Sequence, residues 1–177
     1  PMMGGYTTAR AYWALTAATK AGIAVHQPAL DKAAGYLDKQ LAGFAANDHD
    51  SRAIVLHALA AAKRADFGAC NRLYRERNAL GNHALAYLTR AFYQLDRREI
   101  AAELAGVLEA RMKDSPQLLE SGFKLAQQND PAETTALVLL ALAESRPDSP
   151  RAATAAKALM NEQGCCGFPT SRARGVA

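Results

Sequence analysis

Arg52-Ala53-Ile54-Val55-Leu56-His57-Ala58-Leu59-Ala60-Ala61-Ala62-Lys63-Arg64 reads as a helix that is apolar over most of its circumference. A helix of that kind belongs in a protein interior. Its small-then-large pair, Ala58-Leu59, recurs as Ala14-Leu15, Ala91-Phe92 and Ala141-Leu142. Each copy sits in an apolar helical segment that is followed by a more charged one, beginning in chain order near Pro28, Phe67, Arg98 and Ser149. Equivalent positions are 33 to 50 residues apart, the period at which a helical hairpin repeats. One hairpin cannot bury its apolar face alone, so the copies must stack. The expected fold is therefore all-α, about four helical hairpins with an interior and an exterior layer of helices, in a single domain over residues 1–177.

Local signals support the same division. Thr7 and Thr8 are expected to cap the first helix, which carries Tyr12, Trp13, Leu15 and Ala18 inward before Gly22 ends it. Pro28 suits a first helical turn, and Leu30, Ala33, Ala34, Leu37 and Leu41 then form one stripe while Asp31, Lys32, Asp38 and Lys39 face out. Asn47-Asp48-His49-Asp50-Ser51 is a cap-rich turn. Asn82 to Leu95 and Glu133 to Glu144 repeat the interior character, whereas Cys70 to Leu80 and Arg98 to Met112 are charged on one side only. Between Met112 and Pro131 the pattern weakens into a loop or short helix. Strand-type alternation of β-branched residues is absent, which excludes a parallel sheet and the nucleotide-binding architectures built on one.

The chain has 177 residues, half of them apolar, and a net charge of +4. That suffices for one sizeable core. The basic residues are scattered, with local concentrations only at Arg72 to Arg77, Arg97-Arg98 and Arg172 to Arg174, and aromatics make up 7%. A nucleic-acid surface needs a continuous basic stripe with interleaved aromatics, so no nucleic-acid partner is expected. No apolar run approaches the ~18 residues that span a bilayer, and Pro1-Met2-Met3-Gly4-Gly5 carries no export signal, so no membrane contact is expected from this segment. The chain opens on Pro1 and stops at Ala177 within a helix start, the pattern expected of a piece of a larger protein.

Three segments carry a resemblance. Asn161-Glu162-Gln163-Gly164-Cys165-Cys166-Gly167-Phe168-Pro169-Thr170-Ser171 is similar to the helix end, Gly-rich turn, aromatic and Ser-Thr passage of the thioester-containing domain of the alpha-2-macroglobulin and complement proteins, bacterial alpha-2-macroglobulins above all. Glu133 to Leu142 resembles the family's preceding inner helix, and Tyr6 to Leu37 an earlier hairpin. The resemblance implies an alpha/alpha toroid of terpenoid-cyclase type, of which this chain is an incomplete piece. It also implies a parent protein that traps proteases, a periplasmic or cell-surface (extracellular) location, and other domains of the same chain as partners. The family's Cys-x-Glu-Gln thioester segment is absent: Glu162-Gln163 precedes Cys165 and Cys166, in reversed order, and Phe168 replaces the usual tryptophan or tyrosine. No thioester is carried over.

Few residues invite chemistry. His49, flanked by Asp48 and Asp50, is placed to act as an acid or base, and the family resemblance implies a transfer role for a turn histidine. Solvation within a cap turn is the competing reading. His57, inside an interior helix, is expected to make one buried hydrogen bond. Cys70 could pair with Cys165 or Cys166 if the helix ends meet, or all three could stay reduced; three cysteines cannot build a four-ligand zinc site. No Gly-x-Ser-x-Gly occurs, Thr170-Ser171 has no nearby His or carboxylate, and Glu99, Glu103 and Glu109 follow a helix's outer face. No catalytic residue, cofactor or metal is assigned.

Three functions fit these observations. The first is a non-catalytic structural part of a bacterial alpha-2-macroglobulin-like endopeptidase inhibitor. The second is a terpenoid-cyclase or prenyltransferase-like enzyme, which requires an aromatic-lined cavity and an acidic cluster; the sequence has no Asp-rich motif and only Trp13 as tryptophan. The third is a free-standing helical-repeat module that binds proteins, which requires polar caps at both ends.

Overall fold

In the computed structural model the described residues are 3–114 and 131–166, and they form eight helices with no strand. The helices are α1 (Met3–Lys20), α2 (Gln27–Gly43), α3 (His49–Ala61), α4 (Phe67–Arg75), α5 (Asn82–Gln94), α6 (Arg98–Asp114), α7 (Pro131–Ser145) and α8 (Pro150–Cys166). Consecutive helices pair as four hairpins. The odd-numbered helices pack side by side in the order α1, α3, α5, α7, and each even-numbered helix lies on its hairpin partner. The outer helices α2, α4 and α6 also rest on the next inner helix of the row. An inner helix thus has neighbours on most sides, which is why α3 and α5 are buried nearly all round while α4 confines its buried side chains to Cys70 and Leu73.

Three inner helices end in the same way. In α1, Ile23 N–H bonds to the Ala18 carbonyl and Gly22 N–H to Thr19; in α3, Arg64 bonds to Leu59 and Lys63 to Ala60; in α5, Arg97 bonds to Phe92 and Asp96 to Tyr93. This is the Schellman arrangement, and it requires a left-handed residue at its corner. Gly22 meets that requirement without strain, whereas Lys63 and Asp96, each at φ 60°, adopt it as L-residues and pair with each other through an ion pair. At the start of α3, Asp48 accepts from Ser51 N–H, and at the start of α4, Asp66 accepts from Gly68 and Ala69.

Some details depart from expectation. α1 begins at Met3, so Thr7 and Thr8 lie within it rather than capping it. α4 starts at Phe67 as expected, capped by Asp66, but stops at Arg75 rather than running on to Leu80. Leu15 is 41% exposed although its repeat equivalents Leu59, Phe92 and Leu142 are buried. The reason is that α3, α5 and α7 each also meet the outer helix of the preceding hairpin, and among the described residues α1 has no such neighbour. Glu109 is no solvated charge, being bonded by Arg146 and Ser149. α8 continues through Cys166, which puts Gly164 inside a helix; residues 167–171 of the passage resembling the macroglobulin family, and the connection at 115–130, lie outside the described residues.

Candidate functional site

The four inner helices turn polar side chains toward one another at the centre of the molecule. On α5 these are His83, Tyr87, Arg90 and Gln94, which share one face at helical spacing, while Leu85, Leu88 and Phe92 occupy another. Two levels can be distinguished along the parallel inner helices.

The level toward their C-terminal ends takes one residue from each: Trp13, His57, Arg90 and Glu144. The Arg90 guanidinium is buried and bidentate, Nε donating to Glu144 Oε2 (3.0 Å) and Nη2 to Oε1 (2.9 Å). Its carbon lies 4.9 Å from the centre of the Trp13 ring. The imidazole of His57 meets the same indole edge-on at 4.8 Å and the ring of Tyr87 at 5.1 Å. Burial, reinforced by the positive charges of Arg90 and Lys20, holds the His57 pKa well below the ordinary histidine value, so the ring is neutral.

The level toward the N-terminal ends joins Tyr6 and Arg10 of α1, Asp50 of α3, His83 of α5 and Glu133 of α7. Glu133 is fully buried, ion-paired with Arg10 and accepting from the Tyr6 hydroxyl at 3.2 Å. His83 Nδ1 stands 3.6 Å from Asp50 Oδ1, and its ring packs edge-on against Tyr87 at 4.9 Å. Tyr87 thereby touches a histidine of each level.

Glu144 and Glu133 are ion-paired with arginines, Asp50 faces the His83 imidazole, and among the described residues no three His, Cys, Asp or Glu side chains gather as metal ligands. His57 contradicts one expectation: its Nε2 has no hydrogen-bond partner, and its ring packs against those of Trp13 and Tyr87. Asp50 is buried and faces the His83 imidazole.

Among the described side chains singled out from sequence, His49 and Cys70 are not brought together. His49 opens α3 at the periphery, its Nδ1 3.3 Å from Glu76 Oε2. Cys70 is a free, buried thiol on α4 whose pKa is pushed up to about 12, chiefly by burial and then by Asp66, so it is protonated and unreactive. The Cys165 and Cys166 side chains lie outside the described residues. A separate surface cavity of about 220 Å³ opens between α2, α3 and α4, with Leu41, Leu56 and Leu73 as its floor and Arg52, Asp66 and Arg72 at its rim.

The central residues did leave a trace in the sequence. Trp13, His57 and Arg90 each immediately precede the repeated small-large pair, and so occupy one position of the repeat. Leu140 holds that position in the fourth copy, where Glu144, one turn later, supplies the polar group instead.

These features describe an all-α protein of stacked helical hairpins whose inner helices share ion-paired, aromatic-rich contacts. No family model, no characterised protein and no solved structure matches the chain.

Proposed function

We propose that the chain is a non-catalytic helical scaffold, contributing part of an alpha/alpha toroid to a bacterial alpha-2-macroglobulin-like protease trap, in the periplasm or at the cell surface. The observation that carries the scaffolding role is the edge of the inner row. Ala14-Leu15 of α1 is exposed where the three equivalent pairs are buried, so α1 offers the face that a preceding hairpin would cover. Other domains of the same polypeptide are the natural occupants, and proteases are the target of the whole assembly. The pairing of central charges supports a non-catalytic role, since general acid–base work needs a carboxylate or imidazole free to exchange a proton with a substrate.

An enzymatic reading is favoured by one observation, the collection of Trp13, His57, Tyr87 and His83 at the centre, which gives the aromatic lining a cyclase requires. The matching acidic cluster is replaced by ion pairs.

The test is to incubate the native gene product that carries this segment with trypsin. Trypsin that still cleaves a small chromogenic peptide but no longer a large protein substrate is the expected result. Unimpaired cleavage of both overturns the trap.

A further inference from the structure

We propose that the centre of the inner layer holds a binding site for a small monocarboxylate, seated against the indole of Trp13 between Arg90 and His57. This goes beyond the scaffolding role and does not depend on it.

Two buried nitrogens at that point are left without partners. Arg90 spends Nε and Nη2 on Glu144, but its Nη1, equally buried, bonds to nothing. His57 Nε2 is likewise unpartnered, in a residue that is almost wholly inaccessible. Buried polar atoms are ordinarily satisfied, and with the neutral imidazole in its Nε2–H tautomer the two nitrogens beside one aromatic ring call for a shared acceptor. Both groups touch Trp13, the guanidinium at 4.9 Å and the imidazole at 4.8 Å, so an acceptor reaching both would lie along the indole.

Charge selects the class of acceptor. Glu144 cancels Arg90, His57 is neutral, and the remaining charged group whose field reaches His57 is Lys20, whose bonded partner is the uncharged Gln94. The exposed ammonium of Lys20 at the rim suits an anion rather than a cation. A carboxylate offers two oxygens, one to the Arg90 Nη1–H and one to a His57 Nε2–H tautomer, while its apolar end packs on the indole. Trp13 and the Glu144 side chain are only partly buried and Lys20 is exposed, so the approach runs between the C-terminal ends of α1 and α7.

Trp13 is the chain's single tryptophan and therefore reports its own surroundings. Titrating the protein with sodium acetate, against sodium chloride at equal ionic strength, should give a saturable change in tryptophan emission. An apparent Kd on the order of 1 mM is what four non-hydrogen atoms allow. Arg90→Lys keeps the charge opposite Glu144 but loses the free Nη1, and should weaken acetate at least about tenfold with the far-ultraviolet circular dichroism unchanged. A second readout needs no variant: nuclear Overhauser effects from the acetate methyl to the Trp13 indole protons of the native chain. An acetate response no different from chloride, or no Overhauser contact at saturating acetate, overturns the proposal and leaves ordered water as the partner of both nitrogens.

Discussion

The two faces of α5 are equally buried and held by different physics. On one, Leu85, Leu88 and Phe92 are sealed in the apolar core, Phe92 meeting the rings of Phe67 and Tyr74 from α4. On the other, His83, Tyr87 and Arg90 meet the aromatic and charged side chains of α1, α3 and α7. Burial of the first face is favourable in proportion to area and tolerant of exact partners. The second face is directional: each group is stable only while its partner stays in place, because a buried charge left alone costs more than the pair contributes. Apolar packing thus holds the hairpins together, and the central pairs select which arrangement of inner helices is allowed.

The contrast is tested most severely at Phe92. Phe92→Ala should cost about 3–5 kcal/mol by urea denaturation, since it empties a fully enclosed site. A loss under about 1 kcal/mol would mean that the interlayer core is loosely packed. Next comes the central pair. Glu144→Ala strands the buried Arg90 guanidinium and should cost about 2–3 kcal/mol, below a fully enclosed pair because the Glu144 side chain is 24% exposed. The double change Arg90→Met with Glu144→Leu should return to within about 1 kcal/mol of the native chain. If the double variant were as unstable as the single one, the pair would be contributing net stability rather than specificity.

A smaller effect distinguishes the faces by pH. The unfolded chain takes up a proton on His57 that the folded chain refuses, because burial, Arg90 and Lys20 hold the folded-state pKa down. The stability this histidine allows is therefore complete above about pH 6.5 and falls as pH drops below it, by about 1.4 kcal/mol per pH unit until the folded-state value is reached. Urea midpoints for His57→Leu should fall less than those of the native chain between about pH 7.5 and about pH 5.5. Equal falls would place the acid sensitivity elsewhere. The smallest effect is at the helix ends, where Lys63→Gly copies the corner that Gly22 forms in α1. Relief of the left-handed strain exceeds the loss of an exposed ion pair, so a gain of about 0.5–1 kcal/mol in thermal or urea stability is expected.

Much of the scaffold is legible in the residues themselves. The Ala-Leu register locates all four inner helices, and Phe67, Arg98 and the Asn47 to Ser51 turn mark helix starts to within a residue or two. The site is not legible in the same way. His49 and the cysteines draw attention because of their chemistry, yet His49 is a peripheral neighbour of Glu76 and Cys70 a buried, protonated thiol. Arg90 draws none, since an arginine inside an apolar segment reads as a residue that snorkels to solvent. Its burial follows from Glu144, 54 residues further on, and no local pattern announces such a partner.

The class of fold and the hairpin repeat are written in the order of the residues, because helical period, caps and left-handed corners are properties of near neighbours along the chain. Which sides of the inner helices face one another emerges only on packing, and with it the pairing of Arg90 with Glu144 and of Arg10 with Glu133, and the approach of His83 to Asp50. Packing also leaves Leu15 exposed while its three counterparts are buried. One cause underlies both outcomes: burial and pairing depend on which distant segments come to lie alongside, and a one-dimensional period carries the spacing of side chains but not their neighbours.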